Sequence, residues 1–586
     1  MIEGPIAESL TLETVPIQDH QFPEFDNHID HFADHSENLL SPSPTLEEHT
    51  DAKRLSPSPS LEPQAAFSKE HNLLDSNPAV NSASPTFAPT PTPEDLKAVE
   101  SEVQMEKAPL FTLITTYAGF LLLITLAHVR DFFGKLFYSK QYVALYEQNG
   151  YAPIISDFES LWNRRLYTRI SDVLNVPITG VAGGYVNLLE RVSNDHNRTF
   201  RFTGRKTQML NLASYNYLGF AQSTGYCADQ VEQKINELGL TSCTSRAHGG
   251  YTSLLAEAEA VTAEFLGVED SIIISMGYAT NSSVLPAVVS KGCLIISDSL
   301  NHSSLVSGSR LSGASISVFK HNDVSDLERV LRTSIAQGQP RTHRPWRKIL
   351  VVVEGLYSME GEICNLKGII QLKRKYNFYL FVDEAHSIGA VGPHGKGVCD
   401  HFGLDPKDVD LLMGTFTKSF GAVGGYIAGK KPIIDRLRLF AHSSVYAETM
   451  PVPVLEQCLS SLRLLMDAVP EHAGEGKQKI DQLASNSEFF MRRLKEMGFM
   501  VLGSKGSPVV PVLLFNPGKI QAFSHECRRR KIAVVVVSYP ATPIISGRVR
   551  FCLSASHSRK DIEYALECID EIGDILGIKL LKNINQ

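Results

Sequence analysis

Two apolar runs of the sequence each lead into a residue that could take part in carbonyl chemistry. Asp383 closes the run 379–383 and is followed by His386. Lys418 lies 35 residues after Asp383, in the small-residue loop 414–421. A lysine can hold an aldehyde as a Schiff base, and a buried carboxylate keeps a pyridine nitrogen protonated, so that the ring accepts electrons. Each motif alone is also typical of a solvated loop lysine or a helix N-cap.

Other residues are suited to a phosphate group and to an aromatic ring. Gly277 and Tyr278 follow an apolar run and open a predicted helix, whose N-terminal N–H groups could cradle a phosphate. Thr415 and Thr417 flank the lysine with hydroxyls suited to phosphate oxygens. His302 offers a flat ring that could lie over a cofactor. A buried, hydrogen-bonded histidine is the alternative there.

The elements that must position these side chains are short β-branched runs that alternate with amphipathic helical stretches. Continuous apolar strands between helices are typical of a mainly parallel sheet covered on both faces, so the pattern predicts a large α/β lobe. The predicted strands of this lobe are 271–276, 293–297, 315–319, 348–354, 379–383 and 411–415.

The chain has 586 residues, more than one ordinary core accommodates. We predict a large lobe at 211–470 and a smaller α/β lobe at 471–586, preceded by a connecting region at 130–210. The predicted strands of the smaller lobe are 509–515, 532–538 and 549–554. A ligand is expected in the cleft between the two lobes, beside the strand ends.

The N-terminal part differs in composition from the rest of the chain. Residues 1–105 are rich in Ser, Pro, Glu and His and are predicted to be a disordered tail, without a secretory signal. The run 108–129 lacks Asp, Glu, Lys and Arg. At about 1.5 Å per residue it matches the roughly 30 Å hydrocarbon core of a bilayer, so we predict a membrane-spanning or membrane-embedded helix. A buried or interfacial helix is the alternative.

Charge and cysteine content exclude some classes of function. A net charge of −8 gives no reason to expect a nucleic-acid partner, because phosphate backbones require clustered Lys and Arg. The nine cysteines are scattered without a CxxC pair, so neither a disulfide framework nor a zinc site is indicated. Free thiols in a reducing cytosol fit this pattern.

Several motifs occur in one order along the chain and together resemble the α-oxoamine synthases, which are fold-type I pyridoxal-phosphate (PLP) enzymes. They are 211–219, the pair Asp383 and His386, 414–421 and 540–543. Within that family, 414–421, 540–543, 150–153 and 157–160 resemble the lysine-bearing subunit of the eukaryotic serine palmitoyltransferases. The resemblance extends from about Tyr142 to Gly577.

The resemblance implies a role for each matching residue. Lys418 would hold PLP as the internal aldimine, Asp383 would pair with the pyridine nitrogen, His386 would approach the ring hydroxyl and His302 would stack on the ring. Those implied around the phosphate are Gly277, Tyr278, Thr415 and Thr417. The residues implied at the substrate are Asn216, Tyr217 and Thr542. For the substrate carboxylate the implied residue is Arg550, with Arg548 as the alternative, since arginine donates two parallel hydrogen bonds.

The resemblance further implies a decarboxylating condensation of an amino acid with an acyl-CoA. The freed lysine would remove the α-proton, and the carbanion would attack the thioester with loss of CoA and carbon dioxide. With L-serine and palmitoyl-CoA the product would be 3-ketodihydrosphingosine, in the first step of sphingolipid biosynthesis. The family also implies a heterodimer with a lysine-free companion subunit at the endoplasmic reticulum membrane. Basic residues after 108–129 indicate a catalytic body that faces the cytosol.

Some positions depart from the family pattern. Leu255 stands where the family usually has a histidine, 250–255 replaces Gly-Asn-Leu-Asp-Lys-His, and 451–453 replaces Ser-Pro-Pro. These departures leave open a specialised synthase that joins an amino acid to a polyketide-type acyl chain in a sphingoid-like secondary metabolite, as in mycotoxins. Two further alternatives, independent of the departures, are a non-catalytic regulatory subunit and an aminotransferase.

Overall fold

The computed structural model describes residues 109–581, apart from 154–156, 158–160, 162, 540 and the side chains of 139–141. The predicted tail at 1–105, Ala108, Pro540 and most of the motif 157–160 therefore lie outside the described residues.

The strands and longer helices of the described residues are numbered in chain order. The strands are β1 (Ile178–Thr179), β2 (Tyr185–Val192), β3 (Arg201–Asn211), β4 (Asp270–Ile274), β5 (Leu294–Asp298), β6 (Ser315–Phe319), β7 (Ile349–Glu354), β8 (Leu356–Tyr357), β9 (Glu362–Ile363), β10 (Tyr379–Asp383), β11 (Leu411–Thr415), β12 (Gly425–Gly429), β13 (Val509–Leu513), β14 (Ile532–Ala533), β15 (Val535–Val537) and β16 (Arg548–Cys552). The helices are α1 (Leu110–Phe137), α2 (Tyr226–Leu238), α3 (Ser253–Leu266), α4 (Gly277–Val288), α5 (Ser303–Leu311), α6 (Val324–Gln337), α7 (Leu366–Tyr376), α8 (Val398–Phe402), α9 (Lys431–Phe440), α10 (His442–Val445), α11 (Val452–Leu465), α12 (Glu475–Glu496), α13 (Pro517–Arg529) and α14 (Arg559–Leu576).

A seven-stranded sheet forms the centre of the molecule, in the order β4-β12-β11-β10-β7-β5-β6. Every strand except β12 runs in the same direction, because β12 is antiparallel to both of its neighbours. The predicted mainly parallel sheet is thus confirmed. The strand ends of β6, β10 and β11 agree with the sequence prediction, and those of β4, β5 and β7 differ by at most two residues.

Strand β12 is the strand of this sheet that the sequence did not predict. It begins and ends with glycine, a residue that is depleted in strands. A Cβ on Gly425 would lie 2.6 Å from the carbonyl oxygen of Gly414, and one on Gly429 would lie 2.5 Å from that of Asp410. The glycines are therefore required by the close approach of β11, which residue propensity alone does not reveal.

Both faces of the sheet are buried under helices. Leu350 and Val352 of β7 pack on the side of α4, α5 and α9, whereas Val351 and Val353 pack on the side of α6 and α7. This alternation follows from the period of two in a strand. The continuous apolar runs seen in the sequence are the consequence of burial on both sides.

The C-terminal part of the chain contains a second, antiparallel sheet in the order β13-β16-β15. Helices α12, α13 and α14 contribute to the apolar core behind it. The ribbon β2–β3 from the N-terminal connecting region joins this part through β14, which runs parallel to β3. Residues that are distant in sequence thus meet on one side of the central sheet.

Helix α1 has 28 residues and exposes many large apolar side chains, among them Leu110, Phe111 and Phe137. It is the one helix among the described residues that is long and apolar enough to cross a membrane, with a mean hydropathy of 2.0. It continues beyond the predicted end at 129 because Asp131 is buried and paired. The Asp131 carboxylate accepts hydrogen bonds from Arg164 at 2.7 Å and from Arg165 at 3.0 Å.

Candidate active site

Lys418 lies in the loop that follows β11, at the carboxyl end of the central sheet. Its Nζ is 5.9 Å from the ring centroid of Tyr215 and makes no hydrogen bond or ion pair within the described part of the chain. Desolvation lowers the pKa of Lys418 to about 8, although the charges of Asp383 and Glu354 oppose this shift. A lysine with such a pKa can act as a nucleophile or a base near neutral pH.

Asp383 ends the neighbouring strand β10 and is buried. Its Oδ2 accepts a hydrogen bond from Asn281 Nδ2 at 2.7 Å, and its Oδ1 accepts one from the Ala385 N–H at 2.9 Å. Glu354 lies directly opposite Asp383 on β7. Burial and then the nearby Asp383 charge raise the pKa of Glu354 well above its usual range, which favours a neutral carboxylic acid there.

His386 is buried beneath the site, in the loop after β10. Its Nδ1 is 2.8 Å from the hydroxyl of Tyr217, a side chain with no exposed surface. Burial, then the charges of Lys418 and Arg550, hold the pKa of His386 well below its usual range. The ring is therefore neutral.

His302 lies at the N-cap of α5 and is partly exposed. Its ring centroid is 6.1 Å from that of Tyr278, and the two rings meet edge to face. Burial lowers the pKa of His302, with a raising effect from Asp383 and a lowering effect from Lys418. A neutral imidazole thus lies beside the corner where α4 begins.

The corner between α4 and β11 contains the four residues that were predicted around a phosphate. Gly277 is the first residue of α4, and a Cβ there would lie 3.1 Å from Thr415 Oγ1. Thr415 Oγ1 is also 2.8 Å from Thr417 Oγ1. Tyr278 is half exposed and its hydroxyl is 2.8 Å from Ser307 Oγ. Glycine, hydroxyls and a helix N-terminus are an arrangement that can hold a phosphate.

The two arginines of β16 differ in what they contact. Arg548 Nη1 donates to the Met359 carbonyl at 2.7 Å and pairs with Glu360 at 3.2 Å, and its Nε donates to the Ser546 carbonyl. Arg550 contacts the hydroxyl of Tyr215, and its buried Nε has no partner among the described residues. The geometry therefore favours Arg550 over Arg548 as the arginine that is available to a ligand.

The other residues predicted to contact the substrate also differ in whether their polar atoms already have partners inside the protein. Asn216 Nδ2 donates to the Ala182 carbonyl at 3.0 Å, and the Tyr217 hydroxyl contacts His386, so both side chains have partners inside the protein. Thr542 is buried, and its hydroxyl has no partner in the described part of the chain. Direct substrate contact by Asn216, Tyr217 and Thr542 stays a prediction.

Three side chains at the site were not singled out from the sequence. Tyr215 contacts Arg550 and lies with its ring centroid 5.2 Å from that of His386. Asn281 and Glu354 are buried next to Asp383. Tyr215 falls in the motif 211–219 and Glu354 ends a predicted strand, so both could have been identified from the sequence. The contact of Asn281 with Asp383 could not, because it depends on the packing of α4 against β10.

The side chains that converge here fit a PLP molecule. A lysine with a depressed pKa, a buried carboxylate on the next strand and a helix N-terminus with adjacent hydroxyls match its aldehyde, its pyridine nitrogen and its phosphate. Arg550 Nε, a buried polar atom without a partner among the described residues, is a further group that a bound substrate could satisfy.

Comparison with known proteins supports the class that the fold and site define, the fold-type I PLP-dependent transferases. Residues 207–569 match the family model for class I and II aminotransferases. Serine palmitoyltransferase 2 of Schizosaccharomyces pombe is 52% identical over 477 residues, which cover 81% of this chain and 79% of that protein. The chain therefore belongs to the class I and II aminotransferase family and, within it, to the serine palmitoyltransferases.

Solved structures agree with this assignment. A serine palmitoyltransferase from Sphingomonas wittichii has a TM-score of 0.64 and 29% identity, and covers 73% of this chain and 100% of its own. A lysine-to-alanine variant of serine palmitoyltransferase from S. paucimobilis, solved with a bound PLP–myriocin aldimine, has a TM-score of 0.63 and 27% identity, and covers 72% of this chain and 99% of its own. The predicted fold class and the resemblance are thus confirmed.

Proposed function

We propose that this chain is the catalytic, lysine-bearing subunit of a serine palmitoyltransferase. It condenses L-serine with a long-chain acyl-CoA, typically palmitoyl-CoA, to 3-ketodihydrosphingosine, with release of CoA and carbon dioxide. The observation that carries the proposal is Lys418, an unpaired lysine whose pKa is lowered to about 8 beside Asp383. A non-catalytic subunit would have no need of this arrangement.

PLP, when bound, supplies the electron sink that stabilises negative charge at the substrate α-carbon. Lys418 would hold the cofactor aldehyde, and its Nζ would accept the α-proton. Asp383 would hold the pyridinium N–H, and His386, whose Nδ1 contacts the Tyr217 hydroxyl, would offer its other nitrogen to the ring hydroxyl. His302 would lie over the ring.

The remaining residues hold the two charged ends of the ligands. The residues that would hold the phosphate are Gly277, Tyr278, Thr415 and Thr417, next to the N-terminus of α4, which favours negative charge. Arg550 binds the substrate carboxylate, which supplies an acceptor for its unpaired Nε. The amino acid is thus oriented with its α-carbon toward the lysine.

The departures from the family pattern have a local explanation. Leu255 is 2% exposed and packs in one apolar cluster with Phe416 and Phe420, which flank the lysine loop. Leu255 is therefore part of the apolar core beside the lysine loop. The L-serine function has more support than the polyketide-type synthase, the aminotransferase or the regulatory subunit, because the chain belongs to the serine palmitoyltransferases.

Membrane attachment through α1 is part of the proposal. The exposed apolar side chains of this helix support insertion into a bilayer, and Arg130 and Lys135 at its C-terminal end support a catalytic body in the cytosol. Location at the endoplasmic reticulum follows from the proposed lipid substrate. The predicted division into lobes at 211–470 and 471–586 is retained as a proposal.

A lysine-free companion subunit is also proposed, and a surface near the phosphate corner supports it. Tyr278 of α4, Leu439 and Phe440 of α9, and Tyr446 after α10 are exposed apolar side chains. Helix α10 contacts α4, since Ser443 Oγ lies 2.5 Å from Ser283 Oγ. Exposed apolar side chains that lie together can mark a protein interface.

The test is a product assay with the purified chain and its co-expressed companion. L-serine, L-alanine and glycine are offered separately with palmitoyl-CoA, and the amino ketone is identified by mass spectrometry, with Lys418→Ala in parallel. We expect 3-ketodihydrosphingosine from serine alone and none from the variant. Turnover that yields pyridoxamine phosphate and a keto acid would instead identify an aminotransferase.

A further inference from the structure

Two buried polar side chains connect Asp383 to His302. Asn281 Nδ2 donates to Asp383 Oδ2 at 2.7 Å and to Ser304 Oγ at 2.9 Å. Ser304 Oγ in turn lies 2.7 Å from His302 Nδ1. Asn281 and Ser304 are each only 1% exposed. An unbroken chain of hydrogen bonds therefore links the residue below the cofactor's predicted position to the residue above it.

The direction of each hydrogen bond in this chain is determined. The amide nitrogen of Asn281 can only donate, and the opposite amide orientation would place its oxygen against the Asp383 carboxylate. Ser304 Oγ accepts from Asn281, so its own proton can be donated to His302 Nδ1. The backbone N–H of Ser304 also donates to Nδ1 at 3.3 Å. Since Nδ1 accepts, the neutral ring of His302 carries its proton on Nε2.

The backbone around His302 is held as firmly as its ring. The N–H of His302 donates to Glu354 Oε1 at 2.5 Å. Ser304 reaches Asn281 because α5 lies very close to α4 at Gly308, where a Cβ would lie 2.7 Å from the Asn281 carbonyl oxygen. Only glycine permits this distance. The Nε2 edge is thus the part of His302 left for a ligand.

We infer that Asn281 and Ser304 are positioning residues that fix the Asp383 carboxylate and the Nε2–H tautomer of His302 together. His302 then presents a hydrogen-bond donor, and not a base, to an anionic oxygen of the reacting groups. Proton transfer at the α-carbon is left to Lys418. This inference rests on the proposed function, because it assigns the two residues to the same reaction centre.

The test uses the heterodimer with Asn281→Leu and Ser304→Ala, and with Ser303→Ala as the matched control, since Ser303 is exposed. PLP dissociation constants are measured by titration of the apoprotein. Asn281→Leu should raise the constant about tenfold or more, because a buried hydrogen bond to a charged group is lost. The control should stay within about twofold of wild type.

The second readout is the pH dependence of kcat/KM for L-serine between about pH 5.5 and 9. The titratable groups that face His302 are Asp383, Lys418, Glu354, His386 and Tyr278. In Ser304→Ala, Nδ1 loses one donor and the ring protonates more readily. A cationic ring next to a protonated pyridinium would be disfavoured by like-charge repulsion, so the acidic limb should move upward. A purely structural role would lower activity without this movement.

The outcomes separate the inference from the proposed function. If wild type binds PLP, and both variants bind it within twofold and keep the wild-type pH profile, the positioning role is wrong. If the wild-type protein itself binds no PLP, the proposed function is wrong, whatever the two variants do. If thermal melting shows that Asn281→Leu does not fold, the pH profile of Ser304→Ala decides.

Discussion

At the scale of single residues, the environment of Lys418 determines how the site can react. Desolvation disfavours its charged form, while Asp383 and Glu354 favour it, and desolvation has the larger effect. With a pKa of about 8, roughly one amine in ten is neutral at pH 7, about 300 times the fraction of an unshifted lysine. The neutral amine is the form that attacks an aldehyde.

The rate of PLP capture by the apoprotein should therefore follow this titration. We expect the rate to rise roughly tenfold between pH 6 and 7 and to level off above the pKa of about 8. Stopped-flow absorbance of the bound cofactor measures it, with Lys418→Ala as the blank. A rate that still rises steeply between pH 9 and 10 would show that the lysine is not desolvated.

The two arginines of β16 should give opposite results when each is replaced by glutamine. Arg550→Gln should raise the KM for L-serine by about tenfold or more with little change in PLP affinity, because a charge-assisted contact to the carboxylate is lost. Arg548→Gln should lower the free energy of unfolding by about 2 kcal/mol, since the partly buried Glu360 loses its partner. Steady-state kinetics and chemical denaturation distinguish them. A larger effect of Arg548→Gln on KM would reverse the assignment.

At the scale of elements, the site depends on how closely strands and helices approach each other. Strand β11 leads into the lysine loop and pairs with β12 through Gly414 and Tyr426. A Cβ on Gly414 would lie 2.2 Å from the ring of Tyr426, which is 1% exposed. The ring has no free space into which it could move, so the spacing of the two strands is set by the glycine.

Gly414→Ala should therefore destabilise the protein by about 2 kcal/mol or more, through overpacking of the core. The double variant Gly414→Ala with Tyr426→Leu removes the clash, so the two effects should be strongly non-additive. Thermal denaturation of the four proteins in this cycle measures the coupling. Additive losses would show that the ring does not determine the spacing.

At the scale of the whole molecule, α1 has two roles along its length. Its N-terminal part exposes apolar side chains, whereas Asp131 near its end is buried against Arg164 and Arg165. Thr116, Phe120 and Ala127, which lie within the uncharged run, are buried as well, so the body contacts the helix both within that run and at Asp131. Truncations at two points can separate these contacts.

A chain that begins at residue 128 should leave the membrane fraction and lose the packing of Phe120 and Ala127, but it keeps the Asp131 cluster. A chain that begins at residue 138 should be less stable than this first truncation by about 3 kcal/mol, because Arg165 loses a buried carboxylate partner. Fractionation after a carbonate wash and thermal melting measure the two effects. Equal stability of both truncations would show that the Asp131 cluster contributes little.

The sequence by itself determined the class of the fold and predicted the chemistry of the site. Lysine, carboxylate and imidazole stand directly after apolar strands, and such strands end at one edge of a parallel sheet. The motif order then identified the family. These features depend on residue type and spacing, so they can be read along one chain.

Tertiary structure alone decided what each side chain contacts. It showed that Arg548 is paired and Arg550 has an unpaired Nε, although both lie on one strand two residues apart. It also placed Asn281 against Asp383, 102 residues away, and inserted the glycine-rich β12 between two other strands. These contacts arise from the close packing of elements that are distant in sequence, which local propensity and hydrophobic period do not encode.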